Sequence, residues 1–347
     1  GESRYQELAQ FFVDSRGQGL IGGSPYHQDH LPFREMDRMA GHAVRAVYLN
    51  AGATDIYAET GEPTLRDALN ALWSNMTTRQ MYVSGGIGSR YAGESFGDDY
   101  ELPNARAYAE TCAAIGSFMW NWRMLALEGD ARYAGVMELA LYNGFLASLS
   151  LDGERYFYPN PLADEGTHRR QPWFDCACCP PNIARLLASL PGYFYSSSDD
   201  GIWVHQYAEG SAQIHRPDSD LAERDTVELI QRTRYPWDGE VTITVQGQGL
   251  FSLYLRVPAW CADGAAIQVN GQMPATELVP GSYAEIRRAW RPGDTVRLEL
   301  PMTARMIDCH PYVTENADKV ALMRGPLLYC LESVDNLGLD LRDVTLD

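Results

Sequence analysis

The stretch FDCACCPPN sets Cys176, Cys178 and Cys179 within four residues, while the other four of seven cysteines are scattered through a 347-residue chain. Neighbouring cysteines bridge each other only with strain, because disulfide geometry needs the two Cβ vectors to face. Thiols this crowded point instead to metal or nucleophile chemistry. Zinc takes four ligands from thiolate, imidazole and carboxylate, and further donors stand in AETCA, where Glu110 and Cys112 are two apart. On an ideal helix their side chains would diverge by about 200°. If both face one ion, one of them sits on a distorted or non-helical turn. The competing reading makes Cys112 a small core residue and leaves Glu110 in solvent.

Cys178 and Cys179 directly precede Pro180 and Pro181, which read as the first turn of a helix. A thiolate there lies at the positive helix end, and such a position, or a metal, lowers a thiol pKa enough to make a nucleophile at neutral pH. A buried inert thiol is the alternative. The segment YVSGGIGSRYAGESFGDDYELPN, residues 82–104, lacks the GK[ST] end of a phosphate loop and does not match GxGxxG. It carries Glu94, Asp98, Asp99 and Glu101 toward a helix expected from about Asn104. A loop carboxylate in a cleft is a candidate general acid or base; simple solvation is the other reading. His42, with Arg38 and Arg45, falls on a helix face opposite Met39, Ala43 and Val47, a face that would line the cavity of a helical ring. His27 and His30 could point to the same cavity.

Positioning these residues falls to two kinds of element. Helical periodicity predicts an opening helix near 3–15, one from Met36 through Ala51, one opening at Pro63, a fully buried one over 104–126, one with the stripe Tyr133, Val136, Met137, Ala140, Leu141, Gly144 and Phe145, and one after Pro180. Six helices would be half of a twelve-helix ring. From about residue 195 the pattern alternates between turn residues: Ile202–Tyr207, Thr226–Arg232, Glu240–Val245, Leu250–Val257, Ala266–Val269, Tyr283–Arg287 and Thr295–Leu300 read as strands of an antiparallel β-sandwich, with turns at VNGQ and RPGD. A further strand, Val320–Leu331, opens another unit. The fold class is multidomain α plus β: a partial (α/α)6 barrel over residues 1–195, a β-sandwich over 196–302, and the start of a second β-domain over 303–347.

The formal charge of -18, without a basic block, argues against nucleic acid and anionic membranes as partners. No apolar run approaches the roughly 20 residues of a bilayer span. The start GESRYQELAQ lacks the basic and apolar regions of a signal peptide. An odd cysteine count in a chain of this size fits a reducing, cytoplasmic setting. A homodimer is left open.

Taken in order, GHAVRAVYL (41–49), SGGIGS (84–89), GESFGDDYELPN (93–104), YAETCA (108–113), YFYPNPL (156–162) and CACCPPN (176–182), followed by YPWDG, LRVPAW and RGPLLYC, resemble the glycoside hydrolase family 127 β-L-arabinofuranosidases over nearly the whole chain. The resemblance implies an (α/α)6 barrel with zinc held by Glu110, Cys112, Cys178 and Cys179. It implies Cys178 as nucleophile, Glu94 as acid/base, His42 and Tyr158 as sugar contacts, and Cys176 as structural. The reaction would release β-L-arabinofuranose from plant-type glycans with retained configuration. Chains of that family are longer, so this one would begin midway through the barrel and stop inside a second β-domain. Three other readings compete: a related hydrolase of another pectin-type sugar; a two-carboxylate (α/α)-barrel glycosidase using Glu94 and Asp99 with structural cysteines; and a non-catalytic carbohydrate-binding protein.

Overall fold

The computed structural model describes residues 2–216, 226–262 and 264–345. Among them are six α-helices: α1 (Ser3–Ser15), α2 (Ala43–Thr60), α3 (Pro63–Asn75), α4 (Thr111–Glu128), α5 (Ala131–Leu139) and α6 (Cys179–Ser189). α4 is the hub, packed by α2, α5 and α6. It is buried on every side from Thr111 to Asn121, as a helix without a polar face must be. Gly116 lets α2 come close: a Cβ there would lie 2.5 Å from Val47 Cγ2. Two polar side chains of α4 pair inside with its neighbours, Trp120 Nε1 with Thr54 Oγ1 at 3.1 Å and Trp73 Nε1 with Asn121 Oδ1 at 2.7 Å. α3 has Pro63 in its first turn, as expected. The stripe that begins in α5 continues through a π-helical turn, Ala140–Phe145, so Gly144 and Phe145 stay inside. α1 is mostly exposed, with Tyr5, Leu8, Phe11 and Phe12 on the surface.

Two helix starts differ from the periodicity. α2 begins at Ala43, not Met36, because Gly41 adopts φ +71° and its Cβ position is filled by the Pro25 carbonyl oxygen, 2.0 Å away. Met36 and Met39 are still buried, so the apolar spacing was real but belonged to a short turn at Phe33–Glu35 and an extended entry. His42 therefore caps α2 instead of lying on its face. Likewise α4 starts at Thr111, not near Asn104. Residues 108 and 109 give their amide protons to Ser89 O and Gly88 O, and Ala109 at φ +40° interrupts helical geometry.

Twelve strands follow: β1 (Tyr195–Ser198), β2 (Gly201–Val204), β3 (Gly210–His215), β4 (Thr226–Thr233), β5 (Glu240–Gln246), β6 (Gly249–Val257), β7 (Ala266–Val269), β8 (Ser282–Trp290), β9 (Asp294–Glu299), β10 (Ala304–Asp308), β11 (Val320–Arg324) and β12 (Leu327–Tyr329). They form sheets ordered β1-β2-β6-β8, β3-β4-β5-β9-β7 and β10-β11-β12. The first two enclose one core, with Val204 and Leu253 from one sheet and Leu229, Ile243 and Val296 from the other. Pairing is antiparallel except for β2 on β6, which is parallel. β1, β3 and β10 escaped the sequence pattern; β3 buries only Ile214. The expected strand Val320–Leu331 is a hairpin, β11 and β12, turned at Gly325 with φ +55°.

The helical and β regions join through buried polar contacts. Glu138 of α5 pairs with Arg256 of β6, Trp260 Nε1 donates to Glu138 at 3.0 Å, and Gln206 Nε2 donates to Ala134 O at 3.0 Å. The third sheet's region meets the 82–104 loop, where Tyr100 stacks on His310 at 4.1 Å and the Asn104 amide donates to Glu315 at 3.0 Å. No helix among the described residues is long and apolar enough to cross a membrane.

Candidate active site

The four donors separated by up to 69 positions in sequence converge. Ligand atoms of Glu110, Cys112, Cys178 and Cys179 all lie within 4.8 Å of one another. Cys112 and Cys179 sulfurs are 3.5 Å apart, Cys178 and Cys179 sulfurs 3.6 Å, and Glu110 Oε1 lies 3.5 Å from Cys178 Sγ and 3.7 Å from Cys179 Sγ. Tetrahedral zinc with Zn–S of about 2.3 Å and Zn–O of about 2.0 Å would hold sulfurs about 3.8 Å apart and sulfur from oxygen about 3.5 Å. The donor set fits that ion. Glu110 Oε2 is buried without a hydrogen-bond partner among the described residues, an orphan that a cation or sugar hydroxyl would satisfy.

Local backbone makes the convergence possible. Glu110 is the N-cap of α4 with φ -61° and ψ 136°, whereas Cys112 is already helical. That is the non-helical turn which the two-residue spacing required. Asn160 clamps the turn, its amide nitrogen Nδ2 donating to Ala109 O at 2.9 Å and Thr111 Oγ1 at 3.0 Å. The Thr111 amide donates to Tyr158 O at 3.0 Å, so one strap sets both Glu110 and Tyr158. On the other side Cys178 is the N-cap of α6, with Cys179 in the first turn and Pro180 behind it. Cys112, Cys179 and Glu110 are buried, whereas Cys178 is half-buried.

Next to the thiols lies a second convergence, His42, Glu94 and Glu110, whose ligand atoms are again within 4.8 Å of one another. His42 Nε2 is 3.0 Å from Glu94 Oε2. The pairing is built by backbone: His42 and Ser95 form an isolated antiparallel bridge, and the Phe96 amide donates to Gly41 O at 2.9 Å. Glu94 itself adopts φ +51°, a conformation costly for a side chain of its type and typical of sites that hold a group in place.

Electrostatics divide the cluster. Hydrogen bonds from Cys112 and Cys179 hold the Cys178 thiol far below its usual range, while the same contacts and burial push Cys112 and Cys179 up. Burial, then the charges of Cys178 and Glu94, push Glu110 up to about 8. Burial and the nearby Arg45 push His42 down.

Other expected residues sit elsewhere. Asp99 is bound by Arg79 at 2.9 Å, Asn75 at 3.0 Å and Arg38 at 3.3 Å, contacts that hold its carboxyl below the usual range despite burial. It is a structural anion. His27 pairs with Arg45 at 3.1 Å, and neither His27 nor His30 belongs to either donor group among the described residues. Cys176 is exposed, but its thiol is affected first by the Cys178 charge and by a bond to Tyr158. Sequence reasoning passed over Tyr108, whose buried hydroxyl is pushed up in pKa by desolvation and a bond to Glu94, and Asn160. The only cue for both was their place inside YAETCA and YFYPNPL.

The chain as a whole is similar to known proteins. Sequence profiles for the β-L-arabinofuranosidase GH127 catalytic domain, the GH127 middle domain and the family 127 C-terminal domain match residues 1–192, 201–302 and 304–347. A non-reducing end β-L-arabinofuranosidase of Bifidobacterium longum is 38% identical, over 97% of this chain and 56% of its own length. A GH127 β-L-arabinofuranosidase structure from Geobacillus stearothermophilus T6 is 44% identical with TM-score 0.89, over 97% of this chain and 57% of that one. A GH127 β-arabinofuranosidase structure gives TM-score 0.92 at 39% identity, covering 96% of this chain and 54% of that one. The chain thus spans little more than half the length of these relatives.

Proposed function

Because the chain belongs to glycoside hydrolase family 127, we propose that it is the core of a zinc-dependent retaining glycosidase that releases non-reducing-end β-L-arabinofuranose from plant-derived glycans. The observation that carries this reading is the packing of three thiols and Glu110 at zinc-like separations beside the His42 and Glu94 pair. Glu110, Cys112, Cys178 and Cys179 would hold the ion, which when bound would keep the Cys178 sulfur deprotonated and fixed. These four protein donors would satisfy such an ion without a water ligand, which favours a nucleophilic sulfur over an activated water.

In the proposed reaction the Cys178 sulfur attacks the anomeric carbon while the Glu94 carboxyl gives its proton to the departing glycosidic oxygen. A C–S bond forms as the C–O bond breaks. Glu94, now ionised, takes a proton from water, the oxygen attacks the same carbon, and the C–S bond breaks. Two inversions leave the configuration retained. His42 orients the Glu94 carboxylate through its 3.0 Å contact, and Tyr158, beside Cys178, meets the sugar. We also propose that the division 1–195, 196–302 and 303–347, close to the profile boundaries, separates a catalytic from two supporting units. Three unbridged thiols at the site favour a reducing, cytoplasmic setting. The homodimer also stays a proposal, for sedimentation to decide.

One observation favours a second reading. Glu94 and Glu110 oxygens lie within 4.8 Å of each other, near the roughly 5 Å of a two-carboxylate retaining pair. Cys178→Ala separates the two. In the thiolate reading it abolishes turnover of a nitrophenyl β-L-arabinofuranoside, and wild-type protein quenched during turnover carries one anhydropentose on the Cys178 peptide by mass spectrometry. Retained turnover with an unlabelled peptide would favour the carboxylate pair.

A further inference from the structure

Between the acidic loop and the short turn Thr314–Asn316 lies a cavity of about 400 Å³, lined by Ser89, Tyr91, Tyr100, Glu101, Arg106 and Glu315, among others. We propose that it is a binding site for the glycan on the leaving-group side of the scissile bond, an inference that rests on the glycosidase reading above.

Four observations converge on it. Ser89 lines it and is buried, and its hydroxyl has no hydrogen-bond partner among the described residues, a donor and acceptor left for a ligand or water. The lining alternates ring faces with charged forks: Tyr91 is exposed, whereas Arg106 and Glu315 meet only loosely at 3.8 Å. Aromatic faces beside planar polar groups are what a polyol needs, apolar C–H surface against the ring and hydroxyls toward the forks. The volume falls within the range of small-ligand sites. Finally, the cavity is joined to the chemistry, since the Tyr91 ring packs edge-on against Tyr108 at 4.8 Å and the Glu94 amide donates to the Tyr91 carbonyl at 3.1 Å. The carboxyl that faces the departing oxygen and the cavity share one wall.

The third sheet's region closes this cavity. Its turn is held over the loop by the stack of Tyr100 on His310 and by Asn104 on Glu315 and Asn316. A role in gripping the leaving glycan gives that region a task that the zinc site does not require.

The test uses zinc-loaded full-length protein and two variants, Thr314→Trp to fill the cavity and Arg106→Ala to remove an exposed fork. On methyl β-L-arabinofuranoside, which has nothing to place in the cavity, both variants keep wild-type kcat/KM. On a β-L-arabinofuranosyl oligosaccharide each loses about tenfold or more through KM, the size of one good contact. Equal losses on both substrates, or none on either, overturn the proposal. If the wild-type protein hydrolyses neither glycoside, the glycosidase reading fails on its own account. Calorimetric titration with the oligosaccharide then decides the cavity: binding that Thr314→Trp removes supports it, and binding absent or unchanged refutes it.

Discussion

A carboxylate that protonates a leaving oxygen matters in proportion to how poorly that oxygen leaves. Glu94→Gln keeps the contact to His42 but has no proton to give, so kcat/KM on an alkyl or sugar glycoside is expected to fall about 10²- to 10⁴-fold. On a dinitrophenyl glycoside, whose oxygen leaves unaided, the first step is expected to be nearly intact, with a pre-steady-state burst before slow hydrolysis. An equal loss on both substrates would remove Glu94 from the acid role. Glu110 makes a different prediction, because its Oε1 is the hard donor among three soft ones. Glu110→Gln replaces a carboxylate by a weaker neutral donor and should lower zinc retention on dialysis against a mild chelator. Atomic absorption with a thermal melt reads this without reference to activity. Unchanged zinc content would contradict the ligand assignment.

At the scale of elements, the site depends on turns whose backbones few residues tolerate. Gly88 sits at φ +82°, and a Cβ there would lie 2.7 Å from Ala43 Cβ, at the very start of α2. Gly88→Ala is expected to cost about 1–3 kcal/mol and to loosen the bond from the Ala109 amide to Gly88 O, which places Glu110. Ala109 shows the converse: at φ +40° it carries a strain that glycine does not, and Ala109→Gly should raise stability slightly, by less than about 1 kcal/mol once the extra entropy of an unfolded glycine is set against it. Urea melts of both variants check the two signs. These turns also explain what the sequence disclosed. Helices α3, α5 and α6 and strands β4 to β9 follow from apolar period and turn residues, because there side-chain burial decides the conformation. The starts of α2 and α4 did not follow from the pattern, since Gly41 and Ala109 are set by backbone partners far away in the chain. The site was legible as a list of donors because thiols so close together have few other uses. Its geometry was legible in one respect, the non-helical turn at Glu110 demanded by its spacing from Cys112. Placing His42 on the α2 face and pairing Asp99 with Glu94 failed for the same reason as the helix starts: contacts of Pro25 and Arg79 with those segments leave no local signal.

For the molecule as a whole, the helical half that holds the site is fixed to the sandwich by charged groups with almost no water around them. Glu138 and Arg256 have side-chain exposures of 2% and 1%, and Tyr235, Trp260 and the His205 carbonyl complete their hydrogen bonds. Removing one partner strands the other, so Arg256→Met alone should destabilise by about 3–5 kcal/mol, whereas Arg256→Met with Glu138→Leu should recover much of the loss. His205 adds a pH dependence to this junction. Its ring is buried between the Ser196 hydroxyl at 2.8 Å and the Tyr283 hydroxyl at 2.6 Å, and burial together with the Arg256 charge pushes its pKa down to about 3 from 6.5. Above pH 6.5 the imidazole is neutral in folded and unfolded chains, and it contributes no slope. As pH falls below 6.5 the unfolded chain takes up a proton that the folded chain refuses, so stability drops until pH 3, where both are protonated. The full effect is on the order of 5 kcal/mol, and about 2–3 kcal/mol of it is lost by pH 4.5. His205→Gln keeps a polar side chain between the two hydroxyls without the titration. It should be less stable than wild type at pH 7, where the bonds to Ser196 and Tyr283 are imperfectly replaced, and its stability should fall less steeply between pH 7 and 4.5. All other titrating groups are common to the two proteins, so the difference of their slopes in denaturant melts isolates this one ring. Parallel slopes would mean that the junction opens to water before the histidine is charged.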